Sequence, residues 1–195
     1  IGELERLYVS FGENTSPESE HQARQETAKL QAGDPENIEL WRMFISVSLR
    51  EFESVYSRLG IHFDEVLGES AYNEQLPGVV DQLLQHRLAT ESDQAVIIAV
   101  PEEEHKSIAG TTLVIRKKDG AFLYGTTDLA TLEYRQERWS PKRIIYVTDT
   151  RQQLHFKQVF WSWNKWRELR GELAEQIATP RLEHVWFGML KLTEG

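Results

Sequence analysis

The sequence contains no cysteine, which excludes disulfides and thiolate metal sites and permits a reducing compartment. No apolar run approaches the ~20 residues that a membrane-crossing helix needs, and no signal-peptide pattern starts at Ile1. Basic residues are the minority, 22 against 31 acidic ones, for a formal charge of −9. A surface dedicated to nucleic-acid phosphates needs clustered Lys and Arg, so this chain is not the main footprint of such a contact. The local groups Arg116-Lys117-Lys118 and Lys142-Arg143 are too small for that, and the first brackets a turn on a solvated edge. A Walker loop, a dinucleotide glycine fingerprint and a Ser-His-Asp order are all missing, and none of the six histidines makes a metal-ligand spacing. What remains is an ordinary globular composition, 40% hydrophobic over 195 residues, sufficient for one core plus a modest appendage. The chain starts without Met and stops mid-pattern at LKLTEG, as expected of a piece cut from something longer.

Leu4, Leu7, Tyr8 and Phe11 recur at helical spacing. Ser16-Pro17-Glu18 then carries a helix-start signal, a hydroxyl cap followed by Pro and an acid, and Gly33 ends that polar helix. Asp34-Pro35-Glu36 repeats the signal before Ile38, Trp41, Ile45, Phe52, Val55 and Leu59, which form one apolar face and predict a helix with that face in the core. Gly60 fits its left-handed end. A short strand is expected at Ile61–Asp64 and a helix from about Asn73 to Leu88, interrupted near Pro77-Gly78. Val96–Val100, Thr111–Ile115 and Ala121–Tyr124 read as an antiparallel patch, the last two joined by the Asp119-Gly120 turn. A βα series follows: a helix over Leu129–Trp139, a buried strand over Arg143–Thr148, a helix from Arg151 to about Arg170, a helical piece near Glu172–Ile177, and a strand over Leu182–Trp186.

In an open parallel sheet, ligands sit beyond the carboxyl ends of the strands, so a pocket is expected near Tyr124 and Thr148. Asp128 has two readings. It complements the dipole of its helix, or it faces Tyr124 to bind a planar cation, since carboxylate and guanidinium meet in a two-pronged geometry. Thr150 and Gln153 have capping-box spacing; Gln152 is then either solvated or turned to a ligand beside helix N–H groups. His155 lies one turn further, near the same crevice. In the Trp-rich segment, Phe156, Phe160 and Trp163 share a core face, whereas Trp161 and Trp166 are expected to cover a loop or a neighbouring domain.

The stretches LREFESVYSRLGIHFDEVLGESAY, KKDGAFLYGTTDLATLEYR, RIIYVTDTRQQLHFKQVF and LEHVWFGM, in this order and spacing, resemble the catalytic domain of class I arginyl-tRNA synthetases. The resemblance covers nearly the whole chain. It implies an α/β fold, a partial Rossmann-like parallel sheet with a helical N-terminal part and a small antiparallel insertion. Residues 1–60 would be mainly helical, 61–118 the insertion-like mixed part, and 119–195 the βα half of the core, all within one catalytic domain.

The implied reaction joins L-arginine to the α-phosphate of ATP, supplied with Mg2+ as a substrate, and then passes the arginyl group to tRNA(Arg). By the same resemblance Tyr124 and Asp128 hold the guanidinium, Gln152 lies near the amino-acid and adenylate side, and His155 is placed on the adenylate side. No general base is assigned, and no resident metal is expected. The HIGH signature would lie before Ile1 and the KMSKS loop after Gly195, so the piece alone is expected to be inactive, with tRNA held mainly by other domains. Thr127 stands where many relatives carry Arg. A cytoplasmic location is implied, with no membrane partner, and a bared sheet edge would favour artefactual self-association. The other reading, of a different class, is a synthetase-like, non-catalytic module that binds arginine or a protein partner.

Overall fold

The computed structural model describes residues 2–104, 106–172 and 178–188. The chain divides into two compact units, Ile1–Val66 and Leu67–Gly195.

The first unit is helical: α1 (Gly2–Glu13), α2 (Pro17–Gln31) and α3 (Pro35–Leu59). The start signals act as expected. Ser16 and Ser19 form a reciprocal capping box on α2, and the Asp34 carboxylate accepts from Asn37 N, so orphan N–H groups at both helix starts are satisfied. Gly60 closes α3 at φ 65°, the left-handed geometry that costs a side chain most. The expected burial of α3 fails, however. It has no buried residue, and Phe52, Val55 and Leu59 are each about half exposed or more. Periodicity reports that a helix has an apolar face; it does not supply a surface to cover it. Ile61–Asp64 forms no strand either, because among the described residues no strand pairs with it.

The second unit holds the core. A 3-10 turn over Glu69–Gln75 leads into α4 (Leu76–Gln85), where Pro77 sits in the first turn and does not interrupt the helix. The strands β1 (Thr90–Ser92), β2 (Ala95–Ala99) and β3 (Thr112–Arg116) form an antiparallel sheet in that order. The three-residue loop after Lys117 is closed by Gly120 at φ 89°. Beyond it Ala121–Tyr124 is less of a strand than its composition suggests. Only Phe122 bridges back, to Arg116, and the chain turns at once into α5 (Tyr124–Trp139).

Next come β4 (Arg143–Asp149), α6 (Gln153–Leu169) and β5 (Arg181–Phe187), with β4 and β5 parallel and in register from Arg143↔Arg181 to Asp149↔Phe187. The expected helical piece at 172–177 lies almost entirely outside the described residues. β4 is not buried on both faces as its apolar run suggests. Ile144 and Tyr146 are buried, while Ile145 and Val147 are 45% and 63% exposed.

The core runs from Val80 and Leu83 of α4, through Val96, Ile98 and Ile115 of the antiparallel sheet, to Leu129 and Leu132 of α5 and Phe156, Val159 and Trp163 of α6. Trp166 belongs to it too, at 1% exposure, contrary to expectation, because positions 156, 159, 163 and 166 form one helical stripe. Trp161 does cover a loop, its Nε1 donating to Glu104 at 3.3 Å.

Candidate functional site

Helix α5 builds the site. Its first turn is tied to the antiparallel sheet by Thr126, fully buried, whose hydroxyl donates to the Ile115 carbonyl at 2.5 Å. Gly125 lies so close to the sheet that a Cβ there would sit 3.0 Å from Leu113 Cδ1. Because the helix begins at Tyr124 and not at Leu129, Tyr124, Asp128, Thr131 and Arg135 fall at i, i+4, i+7 and i+11. They therefore share one face, and all four line a cavity of about 170 Å3 with Leu67, Glu69, Tyr72, Thr127 and Tyr146. The volume is below the ~300–1,000 Å3 of pockets that take a drug-sized molecule. It suits one end of a ligand.

The walls differ in charge. Glu69 and Asp128 bring two carboxylates, and Tyr124, 68% exposed, brings a phenol at the mouth. On the inner side Tyr146 is 8% exposed, and its hydroxyl finds no hydrogen-bond partner among the described residues. Burial pushes that phenol's pKa up, well above the ordinary tyrosine value, despite the opposing effect of Arg135. It therefore stays protonated and able to donate. The Arg135 guanidinium lies 4.8 Å from the centre of the Tyr146 ring.

His155 enters from α6. Its Nε2 is 2.6 Å from Asp128 Oδ2, with both side chains about three-quarters buried. Gln152 is not among the cavity's lining residues. It lies at the carboxyl end of β4, with Nε2 3.4 Å from Asp149 Oδ2. Asp149 also corrects the expected capping box, since it, and not Thr150, caps the turn before α6 by accepting from Arg151 N at 2.9 Å. Gln153 N, the donor that the capping box would use, bonds instead to the Thr150 backbone carbonyl. Bonds from the Arg151 side chain, and then from its backbone, hold the Asp149 carboxyl far below the usual range. Across from it, His184 Nε2 meets Thr148 Oγ1 at 2.7 Å, and burial depresses the pKa of that imidazole.

The structure thus brings Tyr124, Asp128 and His155 together and leaves Gln152 one turn away at the strand end. Sequence reasoning missed Glu69, Arg135 and Tyr146. Arg135 was open to detection, because stepping from Tyr124 by four, three and four lands on Asp128, Thr131 and Arg135. Glu69 stands inside the stretch FDEVLGESAY, but no local pattern assigns it to a cavity formed with α5. Among the described residues no cluster of three or more His, Asp or Glu could hold a metal ion, and no helix is long and apolar enough to cross a membrane.

Comparison with known proteins gives this geometry a family. Residues 1–194 match the family model described as tRNA synthetases class I (R), catalytic domain. The chain is 39% identical over 197 residues to the arginine–tRNA ligase of Fusobacterium nucleatum, covering 100% of this chain and 32% of that protein. It is likewise 39% identical over 201 residues to the enzyme of Hahella chejuensis, covering 100% and 33%. With the enzyme of Rhodopirellula baltica the identity is 42% over 172 residues, covering 87% and 23%. Among solved structures, the arginyl-tRNA synthetase of Plasmodium falciparum superposes with a TM-score of 0.68 at 29% identity, covering 93% of this chain and 32% of that one. The chain therefore spans about a third of the length of such relatives. Over that span it belongs to the class I (R) tRNA synthetases, as part of their catalytic domain.

Proposed function

We propose that this chain carries the guanidinium-binding part of the amino-acid site of an arginine–tRNA ligase. The whole enzyme then activates L-arginine with MgATP, releasing pyrophosphate, and transfers the arginyl group to tRNA(Arg), releasing AMP. The observation that carries the reading is the shared cavity of Tyr124, Asp128 and Glu69, in a chain whose relatives are named arginine–tRNA ligases. Two carboxylates and a phenol around a small cavity match a planar cation with several N–H donors.

Gln152 stands at the carboxyl end of β4, where the reacting end of the ligand would extend toward the nucleotide. Adenylate formation needs alignment and relief of phosphate charge more than proton removal. This part of the enzyme contributes alignment, by anchoring the far end of the substrate.

Calorimetric titration with L-arginine and with citrulline tests the proposal. Citrulline keeps the shape but lacks the charge. A hydrogen bond to a charged group is worth about 1.5–3 kcal/mol, so citrulline and the Asp128→Asn variant should each bind about ten- to a hundredfold more weakly. Equal binding of arginine and citrulline would remove the guanidinium reading.

A further inference from the structure

We infer that His155 is a positioning residue for the arginine side of this site, fixing the carboxylate of Asp128 so that a single oxygen is offered to the ligand. The inference rests on the guanidinium reading above and assigns a role within it. An ionised carboxylate accepts and cannot donate, so in the 2.6 Å contact with Asp128 Oδ2 the proton is carried by His155 Nε2. The imidazole tautomer is thereby set, and one of the two Asp128 oxygens is already in use.

The donor is itself held. The His155 ring meets Phe156 edge-on, with centroids 5.2 Å apart and planes at 71°. Phe156 is 3% exposed and packs on Tyr146 at 4.6 Å and on His184 at 4.7 Å. A histidine on an open helix surface would sample several rotamers, whereas this one is braced by the aromatic core that also supplies Tyr146 to the cavity wall. The Asp128 side chain inherits that rigidity. It leaves Oδ1 for the ligand, with Glu69 and Tyr124 on the same cavity to take the remaining guanidinium N–H groups. The cation is then shared among three side chains and is not gripped by a bidentate fork from Asp128 alone. Ordering the carboxylate in advance removes an entropic cost from binding.

The test compares two substitutions. His155→Gln keeps an amide N–H at similar reach, and His155→Leu keeps bulk without a donor. Each is titrated with L-arginine and with citrulline, and thermal melting confirms that each is folded. His155→Leu should weaken arginine binding by about tenfold, the low end for a hydrogen bond to a charged group, and leave citrulline unchanged. His155→Gln should stay within about threefold of the unsubstituted chain, because the donor is retained. A purely structural role would move both ligands together and would not be rescued by Gln. Unchanged arginine affinity in a folded His155→Leu variant overturns the positioning role while the pocket stands. So does equal loss in the Gln and Leu variants. Failure of the unsubstituted chain to bind arginine, or to prefer it to citrulline, overturns the pocket reading and this role with it.

Discussion

Thr126 offers the sharpest check on how the site is held. Its side chain is fully buried, and its hydroxyl donates at 2.5 Å to the Ile115 carbonyl, tying the first turn of α5 to the antiparallel sheet. Thr126→Val replaces the hydroxyl with a methyl of similar size. Losing a hydrogen bond costs about 0.5–1.5 kcal/mol net, and about 1–3 kcal/mol if a buried partner is left orphaned. The partner here is not orphaned, because Leu123 N still donates to the same carbonyl at 3.1 Å. The expected loss is therefore about 1 kcal/mol. Thr126→Ser keeps the hydroxyl and loses a methyl worth about 0.8 kcal/mol, so the two changes should be similar in size. Thr126→Ala should come near their sum. Urea unfolding followed by fluorescence of the buried Trp163 and Trp166 is the assay. With a slope of about 1–3 kcal/mol per molar urea, Thr126→Val should lower the midpoint by roughly 0.3–1 M. A loss of about 2–3 kcal/mol would mean that Leu123 does not satisfy Ile115. No shift at all would mean that the hydroxyl contributes nothing to holding the helix.

Three further outcomes follow from the same unit. Gly125→Ala gains at most about 1 kcal/mol of helix propensity, but its Cβ would stand 3.0 Å from two atoms of the buried Leu113. Overpacking of about 1–3 kcal/mol should win, so the urea midpoint falls, and adding Leu113→Val should recover part of the loss. Glu133 accepts from Trp163 Nε1 at 2.6 Å and from Arg170 Nη2 at 3.0 Å, while Arg170 keeps Glu172 at 2.6 Å. With the second acid still in place, Glu133→Gln should cost about 1.5–3 kcal/mol in thermal melts. His184 gives a pH dependence. Burial depresses its pKa from 6.5 in the folded chain, so below about 6.5 the unfolded chain binds the proton first. Its stabilising contribution is complete above that pH and is lost as pH falls toward the folded-state value. His184→Gln should flatten the stability profile below about pH 6.5, and an unchanged slope would assign the dependence to other groups.

The parts of this molecule that were legible in its sequence are those fixed by neighbours in the chain. Ser16, Asp34 and Gly60 cap or close their helices as read, because a cap involves only residues within a turn. β2 and β3 pair as their β-branched runs suggest. The α5 boundary was misplaced by five residues. Apolar Phe122 and Leu123 look like strand, yet Tyr124 already begins the helix, and that shift is what puts Tyr124 on the same face as Asp128. The capping pattern at Thr150 fails because a 3-10 turn capped by Asp149 brings Gln153 N onto the Thr150 backbone carbonyl instead of its hydroxyl. The α3 face shows the opposite limit. Its pattern was read correctly, but burial depends on a second surface that lies outside any local window.

The candidate site shows why such long-range terms matter most where function is concentrated. Tyr124 and Asp128 could be picked from one helix, but a cavity needs several elements, and Glu69, Tyr146 and His155 each come from a different one. α5 joins them because its two faces have separate tasks. Leu129 and Leu132 anchor it in the core, and the polar face from Tyr124 to Arg135 is left to line the cavity. Rigidity on the first face supplies precision on the second. On the proposed reading, a ligand gripped through Asp128 would be held by the packing of Phe156 and Trp163 as much as by its own hydrogen bonds. Substitutions in that core, far from any ligand atom, should weaken arginine binding in proportion to how far they let α5 and α6 slide past each other.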